Sequence, residues 1–261
     1  LGPVENVLSF KKTDVDKFVS EYYSPKNTVI TFSGNITESN ADALVRKYVL
    51  PRYKNTYPEV VGNTDNFGCR VYRERVKDFE QSNIALAFPS IPFGDDAFTV
   101  QAALNVILGG GMSSRLFQSV REQKGLAYSV FSSPSGYKST GTFNIYLNIS
   151  KQNTEKTLEA VKTEIDGLKK NGITDEELER TKVQLKSALV FASESVQSIM
   201  SACGKQLLLT GKPYDVDQRI SAIDAITKMQ VDDFASQYLD YSKMSAAYVG
   251  KAVNVDLLKI F

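Results

Sequence analysis

Apolar and polar positions along this chain recur in two periods, and the switches between those periods predict its elements. Val15, Phe18, Val19 and Tyr22 stand at i, i+3, i+4 and i+7, so a helix is expected from a Thr13 cap through Tyr22 and Tyr23. Ser24 to Asn27 reads as a turn. Thr28 to Phe32, β-branched and followed by Gly34, reads as a strand. Thr37 opens a second amphipathic helix over Glu38 to Tyr48. From Pro51 to Gly68 no apolar period survives, and Pro51, Pro58, Gly62, Asn63 and Gly68 mark a linker. Cys69 to Val76 and Ser82 to Phe88 predict strands, the second apolar enough to lie centrally and broken by Pro89 and Pro92. Asp95 or Asp96 then starts a helix with Phe98, Val100, Ala103, Leu104, Ile107 and Leu108 on its apolar face.

The densest stretch follows, from Leu108 to Val130. Gly109, Gly110 and Gly111 are expected to permit positive φ, to let another chain approach closely and to leave backbone N–H groups open. Ser113 or Ser114 offers an N-cap for a short helix over Arg115 to Lys124, with Leu116, Phe117 and Val120 inward, and Gly125 ends it. Ala127 to Ser132 alternates as a strand, which would send Tyr128, Val130 and Ser132 to one face. Gly141 to Ile149 alternates too, with Phe143, Ile145, Leu147 and Ile149 opposite Asn144, Tyr146 and Asn148, so the two strands should form a hairpin. Thr154 to Lys170 is a helix ended by Asn171-Gly172, and Thr174 with Glu177 forms a capping box for the next. Glu176, Glu177 and Glu179 read as a solvated face of that helix. A further helical stretch ends before Gly211.

The end of the chain repeats its beginning. Shifted by 216 positions (228 − 12), Lys12, Val15, Asp16, Phe18, Ser20, Tyr22 and Gly34 meet Lys228, Val231, Asp232, Phe234, Ser236, Tyr238 and Gly250. These identities fall in one helix–turn–strand frame, which predicts two copies of a domain of roughly 200 residues. The expected organisation is the end of a first copy over residues 1–55, a linker over 56–67 and a complete second copy over 68–261. A whole first copy is expected to precede Leu1.

Composition narrows the chemistry. With 31 Lys and Arg against 30 Asp and Glu, the chain carries no nucleic-acid or membrane footprint. No apolar run reaches a membrane span, and Leu1 opens into a helix-like segment without the basic start of a signal peptide. Cys69 and Cys203 suit small core positions in a reducing compartment, the cytoplasm or alternatively the mitochondrial matrix. The chain has no histidine, which excludes serine or cysteine catalysis through a histidine base and any histidine-ligated zinc. A phosphate-loop reading of the glycines fails, because a helix rather than a strand precedes them and no Lys-Ser/Thr follows.

The run Leu-Gly-Gly-Gly-Met-Ser-Ser-Arg-Leu-Phe-Gln, with Val-Arg-Glu and Lys-Gly-Leu-Ala-Tyr-Ser-Val behind it, resembles the C-terminal homologous half of the pitrilysin/insulinase family of zinc metallopeptidases. The smaller, processing-peptidase-like members are the most similar. The resemblance implies an α+β fold, a mixed or antiparallel sheet with helices on one face, in one half of a two-repeat clam-shell. It also implies an Arg and a Tyr seven residues apart that face the substrate, which here are Arg121 and Tyr128; Arg115 does not match that spacing. Arg121 would grip a substrate carbonyl, Tyr128 would donate to the oxyanion, and Gly109, Gly110 and Gly111 would border the peptide. Zinc and the general base are implied to lie in an N-terminal half or a partner subunit, so no cofactor is expected in this chain and the chain alone should not be catalytic. Expected partners are a peptide substrate, that zinc-binding half or subunit, and a second copy of the chain. The alternative is a non-catalytic binding or structural subunit of the same family.

Overall fold

Helical and strand periods in the sequence settle into fourteen regular elements, described by a computed structural model over residues 2–53, 70–75, 80–251, 256–257 and 259–261. In chain order they are α1 (Val4–Ser9), α2 (Lys12–Tyr22), α3 (Glu38–Leu44), β1 (Val71–Arg75), β2 (Gln81–Ser90), α4 (Phe98–Leu108), β3 (Ala127–Gly136), β4 (Gly141–Ser150), α5 (Thr154–Asn171), α6 (Asp175–Ser193), α7 (Val196–Thr210), α8 (Val216–Asp224), α9 (Lys228–Tyr238) and β5 (Ser245–Gly250). A wide-turned helical segment, Phe117–Gln123, lies between α4 and β3. The residues divide into two compact units, Leu1–Asn63 with Phe191–Tyr214, and Thr64–Val190 with Asp215–Phe261. The linker expected over 56–67 lies outside the described residues, as do Cys69 and Val76 at the ends of the first predicted strand.

The larger unit is built on a five-stranded mixed sheet in the order β1-β5-β2-β4-β3. β1 runs parallel to β5, and every other pair is antiparallel. The predicted hairpin forms, with Val130 opposite Leu147 and Ser132 opposite Ile145. Period-2 alternation sends Ile84, Leu86, Phe88, Phe143, Ile145, Leu147, Ile149, Ala246 and Tyr248 to one face, where all are buried. Helices α4, α5 and α9 cover that face, contributing Leu104, Leu108, Leu158, Val161, Ile165, Val231 and Phe234 to one continuous core. This is the α+β layout of a sheet with helices on one side.

Three expectations about this unit are corrected. β2 runs through Pro89, which pairs with Thr142, instead of breaking there. The β2–β5 pairing ends at Ala87, so Pro89 stands where one side of the strand is free and a missing N–H is tolerated. Tyr128 does not share a face with Val130 and Ser132, for a reason given below. Glu177 is not solvated: it is capped onto Thr174 as predicted, yet its carboxylate is largely buried against Arg115.

The smaller unit holds α1 to α3 and α7. Here α2 starts at Lys12, one residue before the predicted Thr13 cap, because the Asp14 carboxylate accepts the Lys11 N–H at 2.8 Å. Thr37 caps α3 by accepting the Asn40 N–H. Thr28 to Phe32 forms no strand. It lies beside α7, where the Thr31 hydroxyl donates to the Met200 carbonyl at 3.1 Å, and no strand flanks it among the described residues. Cys203, also on α7, is free and half-buried rather than a core residue. No helix among the described residues is long and apolar enough to cross a membrane.

Candidate functional site

The end of α4 passes directly into the three glycines, and packing explains them. Gly109 and Gly110 both turn their N–H groups onto the Asn105 carbonyl, at 3.0 and 2.7 Å. The Gly109 carbonyl accepts the Ser132 N–H at 3.0 Å, and the Ser132 hydroxyl donates to the Asn105 side-chain oxygen at 2.7 Å. A Cβ on Gly109 would lie 2.5 Å from the Ser132 nitrogen, and one on Gly110 2.9 Å from the Asn105 carbonyl oxygen. None of the three glycines has positive φ. Gly109 is needed because β3 approaches too closely for a side chain and Gly110 because the end of α4 does, whereas Gly111 meets only the end of the Gln184 side chain at 3.6 Å; two of the N–H groups expected to be open are already spent.

Arg115 fixes the next turn. Its guanidinium donates to both Glu177 oxygens at 2.7 Å and to the Gly172 carbonyl at 2.9 Å. Gly172, at φ +71°, abuts Asp232, whose carboxylate accepts the Ile173 N–H at 2.8 Å. The glycine loop is thereby tied to the α5–α6 turn, which in turn is held by α9. The hydrogen bonds that Arg115 donates to Glu177 raise the Arg115 pKa above its ordinary value. For Glu177, burial pushes the carboxyl up, but hydrogen bonds from Arg115 and Thr174 outweigh it and hold the group below the ordinary carboxylate range.

Arg121 and Tyr128 follow on two irregular elements. Arg121 sits on the wide-turned segment, where Lys124 reaches back five residues to the Ser119 carbonyl. Its guanidinium lies 4.7 Å from the Phe117 ring centroid and 3.8 Å from the Glu122 carboxylate, and the side chain is part-exposed. Gly125, at φ +58°, closes the segment as predicted. Tyr128 is the extra residue of a β-bulge: Ala127 pairs with Ile149 and Ser129 with Asn148, which are adjacent on β4. The bulge shifts the alternation, so Ala127, Val130 and Ser132 are buried while Tyr128 is 75% exposed. No side chain among the described residues partners its hydroxyl.

A shallow groove of about 430 Å³ runs beside these residues, lined by Gly109, Gly110, Gly111, Met112, Phe117, Arg121, Ser129, Phe131 and Ser133. The structure thus brings Arg121 and the three glycines to one groove, with Tyr128 outside its lining at the adjoining bulge. The groove shares Ser129 and Phe131 with a second one of about 340 Å³ on the helix-free face of the sheet. There Phe131 and Tyr146 stack with centroids 5.0 Å apart, and Asn148 donates to Asn83 at 2.9 Å. Phe131 escaped the sequence reading because the unbulged alternation does not single it out, whereas Tyr146 was legible opposite the apolar face of β4.

Comparison with known proteins decides the family. Residues 9–185 match the family described as the peptidase M16 inactive domain. The chain belongs to the peptidase M16 family. An M16 relative in Bacillus subtilis, named an uncharacterized zinc protease, YmxG, is 34% identical over 241 residues, covering 91% of this chain and 57% of its own length. One in Rickettsia felis, also named an uncharacterized zinc protease, is 32% identical over 89% of this chain and 55% of its own length. The crystal structure of a peptidase M16 inactive domain from Pseudomonas fluorescens superposes with a TM-score of 0.82 at 21% identity, over 98% of this chain and 61% of that one. A chain of complex III2 from Candida albicans superposes at 0.83 and 19% identity, over 100% and 64%. The chain therefore spans little more than half the length of these curated M16 relatives. Its own residues do not fit the zinc that their names imply. It has no histidine, and among the described residues no three Cys, Asp or Glu side chains converge.

Proposed function

We propose that this chain is the substrate-holding half of an M16 zinc endopeptidase that cleaves unfolded peptides or presequences. The observation that supports it most is the exposed pair Arg121 and Tyr128, each carried on an irregular element beside an open groove. A bulge commonly re-aims a side chain at a functional site, and here it frees a phenol from the core on a rigid strand. In this reading an extended peptide lies along the groove, with Arg121 donating to one of its carbonyls. The Tyr128 hydroxyl donates to the oxyanion of the tetrahedral intermediate, a role commonly worth about 10²–10³ in rate. Residues of another polypeptide segment would hold the zinc, whose chemistry there would be activation of a water. The glycines border the peptide by leaving room, since their N–H groups are largely committed.

The test is Tyr128→Phe in the complete enzyme. The expected result is a fall in kcat of about 10²-fold with KM little changed, and an unchanged kcat would sink the oxyanion role. The isolated chain should show no zinc-dependent proteolysis. The alternative, a non-catalytic subunit, draws support from the fold shared with the complex III2 chain. An exposed Arg–Tyr pair beside a groove weighs against it.

A further inference from the structure

Between Ala102 and Leu108 the sequence has a single polar residue, Asn105, set in the last turn of α4 beside the buried Ala103, Leu104, Ile107 and Leu108. A half-buried amide in such surroundings must have its polar atoms satisfied or put to use. The main-chain carbonyl of Asn105 takes the N–H groups of Gly109 and Gly110, which occupy both of its lone pairs. The Ser132 hydroxyl, itself buried, therefore gives its proton to the Asn105 side-chain oxygen, at 2.7 Å. That bond fixes which way round the amide stands, with Oδ1 on Ser132 and Nδ2 facing elsewhere. Nδ2 carries two donors, has no hydrogen-bond partner among the described residues, and is not sealed inside the protein. Gly110 is what leaves it uncovered, since a Cβ there would lie 3.0 Å from Nδ2. Asn105 lines the same groove as Arg121 and the glycines, and no Asp or Glu is among the described residues that line it.

We propose that Asn105 is a peptide-binding residue, whose side-chain amide donates to one main-chain carbonyl of the bound peptide while Arg121 holds another. A fixed neutral donor and a guanidinium, with no carboxylate between them, suit a ligand that presents acceptors, and an extended peptide presents a carbonyl at every residue. The glycine loop has spent two of its own N–H groups on the end of α4, so the amide supplies the donor that the loop does not. Contact with the main chain grips peptides of differing sequence, because each has the same carbonyls to offer. Ser132 is the positioning residue: without its hydroxyl the amide is free to flip and turn its oxygen to the groove. The inference rests on the reading of this groove as a peptide site and names a residue that neither spacing nor resemblance singles out.

The experiment measures peptide binding without chemistry. The complete enzyme is stripped of metal with EDTA and titrated into a fluorescently labelled, unstructured peptide that the metal-loaded enzyme cleaves, with anisotropy giving Kd. Asn105→Asp keeps the acceptor for Ser132 and removes both donors, so it should raise Kd about tenfold and leave the urea midpoint unchanged. Arg121→Ala should raise Kd by a similar factor, and Ser132→Ala, which only unlocks the amide, by about threefold. An Asn105→Asp enzyme that binds as the parent does would overturn the inference; if Arg121→Ala then binds weakly, the groove reading still stands. The reverse pattern would uphold Asn105 and sink the role of Arg121. Weaker binding that tracks a lowered urea midpoint would confine Asn105 to holding the glycine loop and overturn the inference, as would a parent that binds no peptide. Should Asn105→Asp not fold, isotopically labelled asparagine in the parent gives the answer. The Asn105 side-chain amide resonance, assigned by its shift in Ser132→Ala, should move on peptide addition, and a stationary resonance would overturn the contact.

Discussion

A single Cβ separates tolerable from intolerable in the glycine loop. Gly109→Ala places a methyl 2.5 Å from a backbone nitrogen of β3, so α4 and β3 must part. The expected cost is about 1–3 kcal/mol, read from the urea midpoint. Gly111→Ala meets only the end of the Gln184 side chain, at 3.6 Å, and should be within about 0.5 kcal/mol of the parent. Arg115 and Glu177 form the other residue-scale hinge of stability. Because the folded Glu177 pKa lies below its unfolded value, the pair's contribution is complete above the ordinary carboxylate range and is lost as pH falls through the folded pKa. Glu177→Gln should therefore destabilise by about 1–3 kcal/mol at pH 7. Its deficit against the parent should shrink as pH drops below about 4, measured by denaturation over a pH series. An undiminished deficit at low pH would show that packing, not charge, carries the contact.

Elements were legible where one local rule decided them. The apolar stripe of α4, the Thr174–Glu177 cap, the Gly125 stop and the β3–β4 hairpin all follow from spacing within a few residues. What escaped depended on partners distant in sequence. Pro89 stays inside β2 because β5 has already ended beside it. Thr28 to Phe32 has the composition of a strand but no strand alongside, and β propensity alone supplies no ladder. The bulge at Tyr128 and the wide turn at Arg121 are one-residue irregularities that no hydrophobic period records, so the resemblance that singles out these two residues carries no sign of how they are presented. Context also governs the two copies of one phenylalanine. Phe234→Ala should cost about 3–5 kcal/mol, while Phe18→Ala, more than half exposed, should cost the isolated chain under about 1 kcal/mol; equal losses would contradict the exposure difference.

At the scale of the molecule, a helix-backed sheet presents one dry face and one open face. The dry face holds the core, and the open face carries the Phe131–Tyr146 stack next to the Arg121 groove. Stability of this chain comes from that core, and no donor set suited to zinc occurs among the described residues. Its melting temperature should accordingly be insensitive to EDTA, whereas a drop of several degrees on chelation would point to a metal that these residues do not account for. The absence of histidine is legible from composition alone, because a missing donor type needs no geometry to interpret.

The bulge also acts as a joint between two phases of β3. Before it the strand keeps step with Ile149, after it with Asn148, and Tyr128 belongs to neither count. Whatever stands there is released from the in-and-out rule that its neighbours obey. Position 128 is thus a place where the identity of a side chain can drift, or be selected anew, while the folding of the sheet takes no notice.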